Sequence, residues 1–179
     1  MRPALALLAT VLALSPFAHA QDAPRTGPHR LDGPRAGVTF LDPRTTDRIN
    51  ERFPGDAGEP RLRGTNPAIS QFGWQLETRL FQASNGLTGV SELVLLAGGL
   101  ERNLVLPSGT FLVGLRTVGG LEVGVGPNLS LAGTGFAVAL GMNNNLGDIN
   151  IPINVAAVFS QGGPRISLLT GFTLASRRY

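Results

Sequence analysis

The sequence predicts an all-β protein, an antiparallel up-and-down meander that closes into a small barrel of about eight strands. Residues 71–174 consist of short runs that alternate apolar and polar side chains, which is the two-residue period of a β-strand. Gly, Asn, Ser or Pro ends each run, and the gaps are too short for the crossovers that parallel strands need. Opposite each apolar face stand mostly small residues, which the interior of a narrow barrel can accommodate.

The first twenty residues predict a secretory signal peptide. Arg2 is followed by an apolar stretch over 4–14, and residues 18–20 read Ala-His-Ala, a small-x-small cleavage site. The apolar stretch is too short for a helix that crosses about 30 Å of hydrocarbon. We therefore expect an exported protein. Because the chain has no cysteine, its fold does not depend on disulfides.

Residues 21–66 predict a disordered Arg/Pro-rich segment, a periplasmic tail or linker, because they carry many charges and prolines and few large apolar groups. One short helix is expected within it. Asp42 is a good N-cap, Pro43 suits the first helical position, and Ile49 and Phe53 share one face before Pro54.

Three arginines, Arg44, Arg48 and Arg52, form a second stripe on this short helix. A solvated helix face is the simpler interpretation. The alternative is contact with anionic lipid headgroups or cell-wall material.

Residues 67–179 form the predicted barrel domain, in which turn residues separate eight candidate strands. These strands are 71–82, 87–96, 100–106, 110–117, 121–131, 135–142, 149–160 and 165–174. Pro127 and Pro152 fall inside strands, and each removes a ladder donor. Both therefore require a bulge or an unpaired position.

The two faces of these strands differ in a way that indicates the surroundings of the sheet. Val123 and Val125 alternate with Glu122, Gly124 and Gly126, so the face opposite the apolar one lacks the charged cover of a solvated sheet. We therefore expect the apolar face to point outward. We expect the charged residues of the inward face to form an internal ion-pair ladder. Its members are Glu77, Arg79, Glu92, Arg116, Glu122 and Arg165. Glu101 falls on the same inward face.

Aromatic residues are expected to form two rims, with Phe72, Trp74 and Phe172 near one end and Phe111, Phe136 and Phe159 near the other. The predicted signal peptide, the antiparallel meander and the alternating strands together resemble the small eight-stranded outer-membrane β-barrel proteins of diderm bacteria. This resemblance implies an outer-membrane location and a structural, adhesive or minor conduit role. The predicted outward loops are all short, unlike the long extracellular loops typical of such barrels.

Catalytic and metal chemistry are not expected. Beyond the leader the chain has one histidine, His29, and no cysteine, so Ser–His and Cys–His catalysis and the usual zinc sites have no residues to use. No cofactor is expected. The arginines are interleaved with acids and form no nucleic-acid stripe.

Two other hypotheses remain open at this stage. A soluble exported β-sandwich or lipocalin-like module would keep the apolar face inside and bind a small apolar ligand there. Alternatively, Gly- and Ala-lined strands could stack with copies of the chain in a surface or fibre assembly.

Overall fold

The computed structural model describes residues 31–64, 67–146 and 149–174, which form a closed antiparallel β-barrel with one α-helix. Short 3-10 turns occur at Asp56–Gly58 and Leu100–Arg102. The regular elements are β1 (Gly33–Leu41), α1 (Pro43–Arg52), β2 (Ala68–Gln82), β3 (Thr88–Gly98), β4 (Leu106–Arg116), β5 (Leu121–Ser130), β6 (Gly133–Leu146), β7 (Ile149–Ser160), β8 (Arg165–Gly171) and β9 (Thr173–Leu174).

Strands that follow one another in sequence pair side by side from β1 to β8, and β1 also pairs with β8. This last pairing closes the sheet into an eight-stranded barrel and leaves no free edge. Two-residue β9 follows β8 after Phe172 and pairs with β7. The prediction of an all-β up-and-down barrel is confirmed.

One of the eight barrel strands differs from the prediction. Residues 100–106 were expected to form a strand, but Leu100–Arg102 form a 3-10 turn between Gly99 and Asn103, both with left-handed backbone. Glu101 therefore does not face the interior. Its carboxylate accepts hydrogen bonds from the Ser70 backbone N–H, at 2.9 Å, and from the Ser70 hydroxyl. Desolvation acts to raise the pKa of Glu101, but these hydrogen bonds outweigh it and lower the pKa below its usual value.

The missing strand is β1, which lies in the segment expected to be disordered. Arg35 and Thr39 are buried inside the barrel, while Val38 and Phe40 are exposed outside, so the two-residue alternation is present. Pro34 and the surrounding charges hid this alternation in the composition. The barrel sheet therefore begins at residue 33, and the predicted signal peptide and residues 21–30 lie outside the described residues.

Helix α1 confirms the predicted helix and lies over one end of the barrel. Asp42 caps it by accepting from the Arg44 N–H, and Ile49 is buried with Phe53 packed beside it. An apolar cluster lies between the helix and this end of the barrel, and the helix, strand ends and connecting segments all contribute to it. We call this end the capped end and define it by Leu41, Ile49, Leu62, Ile69, Leu104, Leu106 and Ala132.

Hydrogen bonds hold helix α1, which we call the cap, to the turn between β7 and β8 and to the loop that follows the helix. Thr45 donates to the Gly162 carbonyl at 2.7 Å, and Asn50 exchanges two 2.9 Å hydrogen bonds with the Leu62 backbone. Gly163 has a φ of +105°, and a Cβ there would lie 2.7 Å from an Asp42 carboxylate oxygen, so only glycine fits. The connection over 42–67 is long, which corrects the expectation of uniformly short loops.

Helix α1 is too short and too polar to serve as a membrane span, and no other helix in the described segments qualifies.

The two prolines that the sequence placed inside strands, Pro127 and Pro152, occupy positions where a ladder donor is not needed. Pro127 pairs with Phe136 of β6, but the β4–β5 ladder has a gap between Asn128 and Val125. Pro152 pairs with Asn143, while the β7–β8 ladder begins only at Ile153. The unpaired positions expected from the sequence are therefore present.

Candidate functional site

The barrel interior contains a compact group of charged side chains, the charge cluster, formed by Glu77, Glu92, Arg116 and Glu122. Strand register explains their proximity, because Glu77 pairs with Glu92 across β2–β3 and Arg116 pairs with Glu122 across β4–β5. All four have inward parity. Glu77 is completely buried, and the others are nearly so.

Arg116 is the centre of the charge cluster. Its two terminal nitrogens donate to both Glu77 carboxylate oxygens, at 2.8 and 2.5 Å, and its Nε donates to Glu122 at 2.5 Å. One terminal nitrogen also lies 3.6 Å from a Glu92 oxygen. Such a fork-to-carboxylate arrangement fixes geometry and offsets the desolvation of the buried charges.

Arg35 joins this network through a neutral bridge. Its Nε donates to Gln75 Oε1 at 2.9 Å, and Gln75 Nε2 donates to Glu92 at 2.6 Å. Two backbone carbonyls, Leu31 and Pro34, accept from its remaining nitrogens. Sequence reasoning missed Arg35 because it was assigned to the tail, although the alternation over 35–40 was a usable signal.

The six predicted ladder residues are only partly brought together. Glu77, Glu92, Arg116 and Glu122 form the charge cluster, and Arg79 lies half-buried on the same wall two residues beyond Glu77. Arg165 is elsewhere. It begins β8 at the capped end and donates to Asn128 Oδ1 at 2.9 Å and Ser130 Oγ at 2.7 Å.

The three carboxylates of the charge cluster have the spacing of possible metal ligands, with one oxygen from each within 4.8 Å of the others. A single nitrogen of Arg116, however, makes an ion pair with all three. The guanidinium thus takes the place that a cation would occupy, and we assign no metal to this group.

A cavity of about 90 Å³ lies between the charge cluster and the cap. It is large enough for a few water molecules. Its wall combines neutral polar, small and apolar side chains, together with three charged residues. The lining includes Thr39, Gln71, Val94, Leu112, Asn128, Ala137, Ala139, Asn154, Ala156, Ser167 and Leu169, and the charged members are Glu92, Glu122 and Arg165.

The six predicted rim aromatics all lie on the outer surface, between 44% and 57% exposed. Phe136 pairs directly with Phe159, and Phe111 lies on the next strand but one. Trp74 pairs with Pro34 of β1, and Phe72 lies two residues nearer the capped end. Their role as membrane rims stays a prediction.

Comparisons of the chain with protein-family models, curated proteins and solved structures found no match. What is established is therefore the architecture, a small closed β-barrel with a charged interior. Both histidines, His19 and His29, precede the described residues.

Proposed function

We propose that this protein is a small outer-membrane β-barrel protein of a bacterial cell envelope, with a non-catalytic structural or adhesive role. One observation carries the proposal: large apolar side chains cover the outside of the barrel, while its charge cluster is buried inside. Every barrel strand contributes large apolar side chains that are more than a third exposed, among them Phe40, Trp74, Leu95, Val113, Val125, Val138, Ile153 and Leu168.

An apolar surface of this kind is unfavourable in water. Soluble monomers rarely expose a continuous apolar patch beyond a few hundred Å², and each buried Å² of such surface is worth roughly 25 cal/mol. Hydrocarbon chains around the barrel would supply that burial. The polar backbone needs no solvent there, because the closed ladder pairs its N–H and C=O groups.

Strand length also supports a membrane-spanning barrel. A tilted strand crosses a bilayer in about 9–11 residues. Strands β1 to β7 contain between 9 and 15 residues, and β8 with β9 covers residues 165–174.

The soluble lipocalin-like alternative requires the apolar face of each strand to point into the barrel. It would place Val123, Leu140 and Ile153 around an internal apolar ligand. These side chains are 47%, 41% and 42% exposed on the outer face, and the sheet is one closed barrel rather than two stacked layers. We therefore prefer the membrane proposal.

A structural or adhesive role fits the interior better than a conduit role. Arg35, Glu77, Glu92 and Arg116 are each at most 9% exposed. They fill the barrel on the side away from the cap, which covers the other end. A filled interior of this kind favours a structural or adhesive role over a channel through the barrel.

The cap offers a surface for a partner. Arg44, Arg48 and Arg52 are all exposed on α1, at the end opposite the start of β1 and the end of β8. If the termini lie in the periplasm, these arginines face outward, where anionic headgroups or cell-surface material could bind them.

Cell fractionation tests the proposal. We expect the protein in the outer-membrane fraction, extracted only by detergent, with faster gel migration before boiling than after. Recovery in the soluble fraction without detergent, as a monodisperse particle, would contradict it. A concentration-dependent assembly in buffer would instead favour self-association through the apolar face.

A further inference from the structure

Arg165 is a buried arginine that lies outside the charge cluster. It is 8% exposed and lies beneath the apolar cluster of the capped end, paired in register with Leu41 and Val158. Its side chain lines the cavity together with neutral polar groups, including Thr39 and Ser167. A buried cation of this kind ordinarily has a counter-charge beside it.

In the part of the chain that the structure describes, residues 31–64, 67–146 and 149–174, no ion pair supplies Arg165 with such a counter-charge. A guanidinium has five N–H donors, and two hydrogen bonds, to Asn128 and Ser130, are formed. Both acceptors are neutral, so the positive charge is solvated but not neutralised.

The carboxylates that share the cavity are already committed. Glu122 accepts from Arg116 Nε, and Glu92 accepts from Gln75 while lying 3.6 Å from Arg116. The charges lining the cavity are therefore separated, with the paired acids on the side away from the cap and the unneutralised cation near the cap. The neighbouring hydroxyls of Thr39 and Ser167, 2.6 Å apart, add polar groups on the wall.

We propose that the cavity beside Arg165 is a binding site for a small monovalent anion of the size of chloride. Arg165 supplies the charge and the free N–H donors, and Asn128 and Ser130 hold its guanidinium in place. The limited volume, about 90 Å³, and the apolar cap above select against bulky anions. The anion would neutralise the guanidinium and stabilise the folded barrel.

The test is equilibrium unfolding by urea, a neutral denaturant, of the refolded protein in a nonionic detergent. Chloride replaces gluconate at constant sodium concentration. Above the dissociation constant, each tenfold rise in chloride should increase the folding equilibrium constant by about tenfold, because one anion binds only the folded state. Arg165→Gln should abolish this dependence, and Arg63→Gln, which alters an exposed surface pair, should retain it.

Two results would overturn the proposal: an equal stability in chloride and gluconate, or an unchanged chloride dependence in Arg165→Gln. If Arg165→Gln does not fold, crystals of the unaltered protein grown in bromide decide the question. An anomalous peak beside the Arg165 guanidinium supports the site, and its absence there contradicts it.

Discussion

The outer and inner faces of the same strands differ more than any two separate segments of this protein. On β5, Val123 and Val125 are nearly half exposed outside, while Gly124 and Gly126 are buried inside. Neighbouring residues thus meet different surroundings every 3.3 Å or so along a strand. The alternation establishes a β-strand, but only the chemistry of the two faces indicates which one meets lipid and which one fills the barrel.

The inner face should be the more sensitive of the two, and Arg116→Ala tests it. This change leaves the carboxylates of Glu77, Glu92 and Glu122 buried without their shared cation. We expect a loss of about 3–5 kcal/mol in the free energy of unfolding, measured by urea titration in detergent. Arg63→Ala, on an exposed pair, should cost at most about 1 kcal/mol. Similar losses for both would show that the charge cluster is not the internal support described here.

The outer face is tested by Val125→Arg. In hydrocarbon this change should cost about 2–4 kcal/mol, whereas an arginine near the membrane interface costs about 0–1. Val118→Arg, at an exposed hairpin tip, is the matched control. Folding into lipid vesicles, followed by gel shift, measures both. If Val125→Arg folds as well as Val118→Arg, the outer face does not meet hydrocarbon.

A smaller effect compares two inward glycines of β5. A Cβ at Gly126 would lie 2.0 Å from the Phe111 carbonyl oxygen, while a Cβ at Gly124 would meet Leu112 at an ordinary 3.4 Å. Gly126→Ala should therefore force a backbone shift and cost about 1–3 kcal/mol. Gly124→Ala should cost less. Equal unfolding free energies for the two variants would contradict the close approach of β4 and β5.

The smallest expected effect concerns the cap. Asp42→Ala removes the N-cap acceptor of α1 and should cost about 1 kcal/mol, mostly as local opening of the helix. Hydrogen exchange should accelerate at the α1 amides and remain unchanged in β3 and β4. Faster exchange throughout the barrel would mean that the cap and the barrel unfold together.

Much of this architecture could be predicted from residues 71–174, because each strand pairs with its sequence neighbour and carries its own alternation. Parity placed Arg116, Glu77, Glu92 and Glu122 on the inward face, but it did not indicate which of the inward charges contact one another. Strand β1 was missed because Pro34 and Arg35 are residue types typical of disordered segments. The partners of this strand, Gln75 and strand β8, are distant in sequence. Residues 100–106 resemble a strand in sequence, yet Leu104 and Leu106 pack in the apolar cluster of the capped end, while Leu100 and Val105 are exposed.

Arg165 could not be separated from the ladder by parity, since its surroundings depend on how the strands stagger around the barrel. Strand stagger placed it beside Asn128 and Ser130 at the capped end. The sequence also does not indicate the volume of the cavity between the charge cluster and the capped end.

Fluorescence of Trp74, the one tryptophan of the chain, tests most directly whether the outer face contacts lipid. Its side chain is 50% exposed on the outer face. In vesicles, lipids brominated on their acyl chains should quench its emission strongly, and aqueous iodide should quench it weakly. Strong quenching by iodide with none from the brominated lipid would contradict the membrane-spanning account.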